Sequence, residues 1–294
     1  MNYCVQNWRA NSNLSNFVLE FYHQGGVLMK KLAILVLAIW LGGCATGTPQ
    51  NNVNVDKNGL YQIATLQSLM LGYYDRVGSV AELKARGDFG IGTFEGLDGE
   101  LVMSDGEVWQ GGADGTLKRM DDSTGIPFAT VGFFTRDFAV KLGRVNSWAE
   151  FETALDKIVK ERGENLFYLV RVRGKFERVK YRSEYAQKRP FKPLAEVMKT
   201  DQTFFEDKNE RGELVGVYFP RFMAGLNAAG WHFHYASEDR KRGGHALEAA
   251  FDGLEAEFSV KSGFAMRLSS DKGFSHLELT RDLKKEIRAV EKNK

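Results

Sequence analysis

The chain has 294 residues, room for one large domain or two small ones, with 43% hydrophobic and 27% charged residues. This balance excludes a disordered chain, a collagen-like repeat and a multi-span membrane protein. A formal charge of +2, from 40 basic and 38 acidic residues, gives no field that favours nucleic acid, and two cysteines build neither a disulfide framework nor a cysteine-type zinc site.

Residues 1–28 show no clear period and read as an extension ahead of a start at Met29. Lys30 and Lys31 then precede the uncharged run Leu32–Trp40 and Leu41-Gly42-Gly43-Cys44. A basic start, a short apolar core and small residues before a cut form a secretory signal. The run is too short for a lasting membrane span. Leu-Gly-Gly-Cys has the layout of a lipoprotein box, so residues 29–44 are expected to export the chain, with Cys44 lipidated and anchored to a membrane. A plain signal peptide or an uncleaved anchor is the alternative. Processing would remove Arg9, Lys30, Lys31 and Glu20, leaving 37 basic and 37 acidic residues. Residues 45–58 are polar and read as a tether.

The periodicity predicts a helix over Leu60–Tyr74, from Leu60, Ile63, Leu66, Leu69 and Met70. Ser79-Val80-Ala81-Glu82 is a capping box opening a short second helix. Short strands follow at Gly90–Phe94, Glu100–Met103 and Val108–Gln110, with turns at Ser104-Asp105-Gly106 and Asp114-Gly115, then Thr116–Met120 and the buried run Pro127–Phe134. A second capping box at Ser147–Glu150 opens a helix to about Arg162. Asn165–Arg173 and Phe176–Ser183 read as a hairpin around Gly174-Lys175, with Phe176, Arg178, Lys180 and Arg182 on one face. Residues 184–212 are polar and read as a long connection dividing the chain into domains 59–183 and 184–294. Strands at Leu214–Phe219, Trp231–Ala236, His245–Phe251 and Leu254–Val260 and a closing helix Thr280–Val290 complete an α+β fold of mixed or antiparallel sheet.

Of five histidines, three fall within fourteen residues: His232, His234 and His245. On a strand His232 and His234 share one face, while Trp231, Phe233 and Tyr235 take the other and pack into a core. His245 returns on the next strand. Three imidazoles converging with a fourth position open make a catalytic zinc site, although Mn, Fe, Ni or Cu also suit nitrogen ligands. Without convergence they are ordinary surface or core histidines. Gly90-Ile91-Gly92-Thr93-Phe94-Glu95-Gly96 is one residue too long for a dinucleotide loop, and no such unit surrounds it. Arg240-Lys241-Arg242 reads as a solvated turn, and Glu184 and Asp239 as surface charges.

Gly87–Phe94, Leu97–Glu100, Asn165–Tyr168, His232-Phe233-His234, Glu238-Asp239-Arg240 and Gly243-Gly244-His245, in that order, resemble the α-acetolactate decarboxylase family over residues 59–294. The resemblance implies a homodimer with a mixed β-sheet and a second, barrel-like β-domain. It implies zinc on His232, His234 and His245, a catalytic Arg182, active-site glutamates at Glu100 and Glu291, and a pocket threonine at Thr93. The activity it implies is zinc-dependent decarboxylation of 2-acetolactate to acetoin and CO2 through a metal-stabilised enediolate. The residue types suit that chemistry. A metal accepts the electrons left by CO2, a guanidinium orients the carboxylate, and a carboxylic acid returns a proton. Another zinc-dependent hydrolase or isomerase would share the histidines without needing Arg182 or Glu291. A non-catalytic metal-binding lipoprotein would need neither.

Overall fold

A computed structural model describes residues 56–291. The expected extension, signal and Cys44, and all of the tether but its last three residues, lie outside them. Among the described residues no helix is long and apolar enough to cross a membrane.

The chain runs β1 (Gly59–Ile63), α1 (Leu66–Met70), β2 (Gly78–Ser79), α2 (Val80–Lys84), β3 (Phe89–Thr93), β4 (Glu100–Ser104), β5 (Glu107–Gly111), β6 (Leu117–Arg119), β7 (Gly125–Ile126), β8 (Phe128–Gly132), β9 (Phe138–Lys141) and α3 (Trp148–Arg162). It continues through β10 (Phe167–Glu184), α4 (Leu194–Thr200), β11 (Gln202–Phe219), β12 (Gly230–Ser237), β13 (Gly243–Ala250), β14 (Glu255–Lys261), β15 (Gly263–Arg267), α5 (Lys272–Ser275) and α6 (Lys284–Glu291). The result is mostly β with few helices, the α+β class expected.

The expected helix over Leu60–Tyr74 is instead a strand followed by one short helix. β1 is buried along nearly its whole length, so its apolar residues satisfy helical and strand spacing alike. Ala64, at a positive φ of 56°, turns the chain, and Thr65 caps α1 by accepting from the Ser68 amide. Both expected N-caps form: Ser79 accepts from Glu82 N and Ser147 from Glu150 N. Asp105 and Gly106, both at positive φ, close the β4–β5 hairpin as a two-residue turn.

The second correction concerns residues 165–219. Gly174-Lys175 is no turn, because β10 runs straight through and pairs there with Gly212 and Arg211 of β11. The polar run expected as a connection holds α4 and the first half of β11. Its charges hid it. Glu206 lies opposite Lys180 and Lys208 opposite Arg178, on a ribbon with one solvated side.

One sheet has seven strands in the order β15-β1-β8-β3-β4-β5-β6, with β1 and β15 parallel and the other pairs antiparallel. The other has six, β11-β12-β13-β10-β14-β9, and β11 also pairs with β10. The pairings β10–β11, β11–β12, β12–β13 and β13–β10 therefore run in a closed circuit. Both sheets draw strands from both sides of residue 184.

Each sheet face has its own apolar filling. Leu60, Phe89 and Ile91 meet Leu169, Val215 and Val217 between the sheets. Phe151 and Leu155 of α3 cover Trp231, Phe233 and Tyr235 on the far side of the six-stranded sheet, as the alternation predicts. A third cluster joins α1, α4 and α6 through Leu66, Leu69, Leu194, Met198, Ile287 and Val290. It forms a helical cap over one end of the sheets. The closing helix is thus shorter than expected, but Leu283, Ile287 and Val290 do face inward.

Candidate active site and metal centre

β12 presents His232 and His234 to one face, and His234 lies directly opposite His245 on β13. His245 in turn lies opposite Arg182 on β10, so three neighbouring strands carry the three side chains in one row. The register slips by one residue between Lys180 and Tyr181, immediately before Arg182. Such a bulge re-aims the side chains beside it. Gly244 permits the close pairing, since a Cβ there would stand 2.3 Å from the Arg182 carbonyl oxygen.

His232 Nε2 lies 3.2 Å from His234 Nε2 and 3.0 Å from His245 Nδ1. All three donors fall within 4.8 Å of one another. Nitrogens about 2.0–2.1 Å from one tetrahedral zinc would stand roughly 3.3 Å apart, so the spacing fits a single ion. The ring of His234 is oriented from behind by a 2.7 Å hydrogen bond from Nδ1 to the Leu101 carbonyl of β4. That bond puts the proton on Nδ1 and leaves the Nε2 lone pair facing its partners. Burial holds His234 down to about 3, with the Leu101 carbonyl pulling up and the nearby Arg182 charge pushing down. Burial, with His234 and Arg182, also lowers His232 well below its ordinary value. Both rings are thereby kept neutral, the form that binds metal.

Glu100 approaches from the seven-stranded sheet. It is 7% exposed, with its carboxylate 3.2 Å from His234 Nε2 and 3.9 Å from His245 Nδ1. Thr93 sits directly opposite it on β3, its hydroxyl donating to the Gly99 carbonyl at 2.7 Å. Arg182 is 1% exposed. Its Nη2 donates to the Val290 carbonyl at 2.8 Å, its Nη1 to Gln202 Oε1 at 3.0 Å, and Nη1 also touches the Met198 sulfur. Among the described residues its buried Nε has no hydrogen-bond partner.

Thr93, Glu100, Arg182, His232 and His245 all line one small cavity of about 30 Å³, roofed by Leu194 and Met198 of α4 and Val290 of α6. The structure therefore gathers every predicted site residue whose side chain it describes. Glu291 ends α6, one residue after Val290, and its side chain lies outside the described residues. A larger cleft of about 860 Å³ beside α3 holds none of them.

Two readings need correction, one holds and one is completed. Phe176, Arg178, Lys180 and Arg182 do not share one environment. Phe176 is in the core, Arg178 and Lys180 reach Glu248 at 3.2 and 3.0 Å, and Arg182 is enclosed. Glu184 is not a surface charge: it is 2% exposed and lines the cavity. Extending the strand by one residue past Ser183 would have placed it on the face of Arg182. The Gly90–Gly96 stretch is no phosphate loop, since Gly90 and Gly92 lie in the buried strand β3. Arg240 and Arg242 do lie in a turn, but each is paired, with Glu213 and Asp207. His276 stands apart and exposed.

A mostly β scaffold that gathers three histidines able to hold a metal beside an enclosed arginine has the layout of an enzyme site, and comparison with known proteins narrows it. The family model described as alpha-acetolactate decarboxylase matches residues 60–281. The alpha-acetolactate decarboxylase of Methanosarcina mazei is 39% identical over 233 residues, 79% of this chain and 80% of that protein. That of Bacillus subtilis is 34% identical over 79% of this chain and 90% of its own length. The crystal structure of the Bacillus subtilis protein superposes with a TM-score of 0.76 at 33% identity, covering 80% of this chain and 99% of that one. The chain belongs to the alpha-acetolactate decarboxylase family and is an enzyme of the carboxy-lyase class.

Proposed function

We propose that this chain decarboxylates 2-acetolactate to acetoin and CO2, with one zinc ion held by His232, His234 and His245. The observation that carries the reading is the enclosed Arg182 guanidinium, its Nε without a partner among the described residues, in the same cavity as the histidine cluster. A buried donor with no acceptor is costly, and a substrate carboxylate at that edge supplies the acceptor. A metal-binding protein without catalysis has no use for it.

The chemistry breaks the bond between the carboxylate carbon and the neighbouring carbon and leaves the electron pair on the latter. His232, His234 and His245 would hold the metal, which would supply Lewis acidity for the electron pair that CO2 leaves behind. Arg182 orients the carboxylate as it leaves. Thr93 shapes the wall beside Glu100. A proton must then reach the carbon, and Glu100 and Glu291 are the carboxyl groups assigned to hold and deliver it. The apolar roof excludes water.

We further infer a barrel-like closure of the β10–β13 circuit, a homodimer, and export with a lipid on Cys44. The last rests on Lys30-Lys31, the uncharged run and Leu41-Gly42-Gly43-Cys44. Purified protein given 2-acetolactate should release acetoin and CO2 in equal amounts. Arg182→Lys keeps the charge but loses the planar fork, and should lower kcat/KM at least tenfold. Absence of acetoin from the metal-loaded wild type would overturn the decarboxylase reading.

A further inference from the structure

We propose that Glu184 is a positioning residue of the active site, setting the rotation of the Arg182 guanidinium so that its Nε edge meets the substrate carboxylate. The inference rests on the carboxylate-binding reading of Arg182 and extends it to a residue two positions further along β10.

Arg182 and Glu184 lie on the same side of the strand by its period of two, and both line the cavity that holds the histidines. Glu184 Oε1 stands 3.4 Å from Arg182 Nη1, with the two side chains each 2% exposed. The partners of the guanidinium divide by edge. Nη1 faces Glu184, Gln202 and Met198, and Nη2 donates to Val290. Among the described residues Nε alone is left over. In a planar fork, fixing Nη1 on one side fixes where Nε–H points on the other. Glu184 and Gln202 therefore act as a backstop behind the arginine.

Stability does not account for the pair. Among the described residues Glu184 Oε2 is buried without a hydrogen-bond partner, and so is Arg182 Nε. A buried ion pair with unmet polar atoms on both members is a poor source of folding energy, and apolar residues of like volume commonly do as well. The arrangement has a use if the guanidinium must stay charged, in place and open on one edge.

The test compares Glu184→Gln, which keeps the shape and an acceptor for Nη1, with Glu184→Met, which keeps the shape and loses the acceptor. Metal content and thermal midpoint serve as checks on folding. Glu184→Met should raise KM about tenfold with kcat changed less than threefold, and Glu184→Gln should stay within threefold of wild type in both. In an Arg182→Lys background, Glu184→Met should change kcat/KM less than twofold, because a residue acting through the guanidinium has nothing left to position. A wild-type KM in Glu184→Met, or its full effect persisting in the Arg182→Lys background, overturns the proposal. If Glu184→Met does not fold, Glu184→Asp draws the carboxylate back by one methylene and must raise KM. A wild-type KM there overturns it equally. Acetoin release by the wild type is the separate control. Its failure removes the decarboxylase reading, whereas normal wild-type turnover with unaffected Glu184 variants removes only the positioning role.

Discussion

His234 is held at both ends of its ring, by the Leu101 carbonyl behind and by its neighbours' nitrogens in front. Its position is thus set jointly by both sheets, since Leu101 belongs to one and His234 to the other. His234→Ala tests the proposed metal centre. It removes a ligand and also leaves the Leu101 carbonyl without its imidazole partner, so metal content measured by atomic emission should fall to near zero. Stoichiometric metal in that variant would mean that His232 and His245 suffice with another group, and would break the three-histidine assignment.

At the scale of elements, the strand β10 organises the site, and it is the element least legible in the sequence. The histidine cluster could be read directly, because alternation of Trp231, Phe233 and Tyr235 with His232 and His234 is a strand signal that nothing else imitates. The N-caps and the Asp105-Gly106 turn were legible for the same reason: each is a local rule acting over three or four residues. β10 and β11 were not, because their far halves pair with each other through charged residues and bury little on one side. Gly174 looked like a turn but faces Gly212 across the ladder. Glu184 was lost with the end of that strand. The glycine that matters most is Gly244, where β13 crosses closest to β10. A methyl group at that position would meet backbone that cannot rotate away. Gly244→Ala should cost about 1–3 kcal/mol of stability in denaturant unfolding. It should also displace His245 and Arg182 together, so that metal affinity and KM for acetolactate worsen in parallel. A variant that loses neither stability nor metal would show that the β10–β13 approach is not tight.

The whole molecule divides into a frame and a cap. The frame is the ladder circuit of β10 to β13, packed between α3 on one side and the seven-stranded sheet on the other. None of its four strands can leave without breaking two ladders. The cap is α1, α4 and α6, short helices joined by side-chain contacts alone. Local opening follows such differences in contact and pairing. Native-state hydrogen exchange should show amides of Val170–Val172 and Val215–Val217 exchanging only with global unfolding. Amides of α4 and α6 should exchange roughly 10²-fold faster or more. Equal protection of cap and frame would contradict the division.

The Arg182–Val290 hydrogen bond crosses that division, joining the frame to the last turn of α6. The guanidinium thus doubles as a latch. An arriving carboxylate that draws Arg182 toward itself loosens its hold on the Val290 carbonyl, so occupancy of the pocket and seating of the terminal helix are thermodynamically linked. The same linkage runs in reverse: whatever clamps the C-terminal helix down from outside alters how strongly an anion is held within.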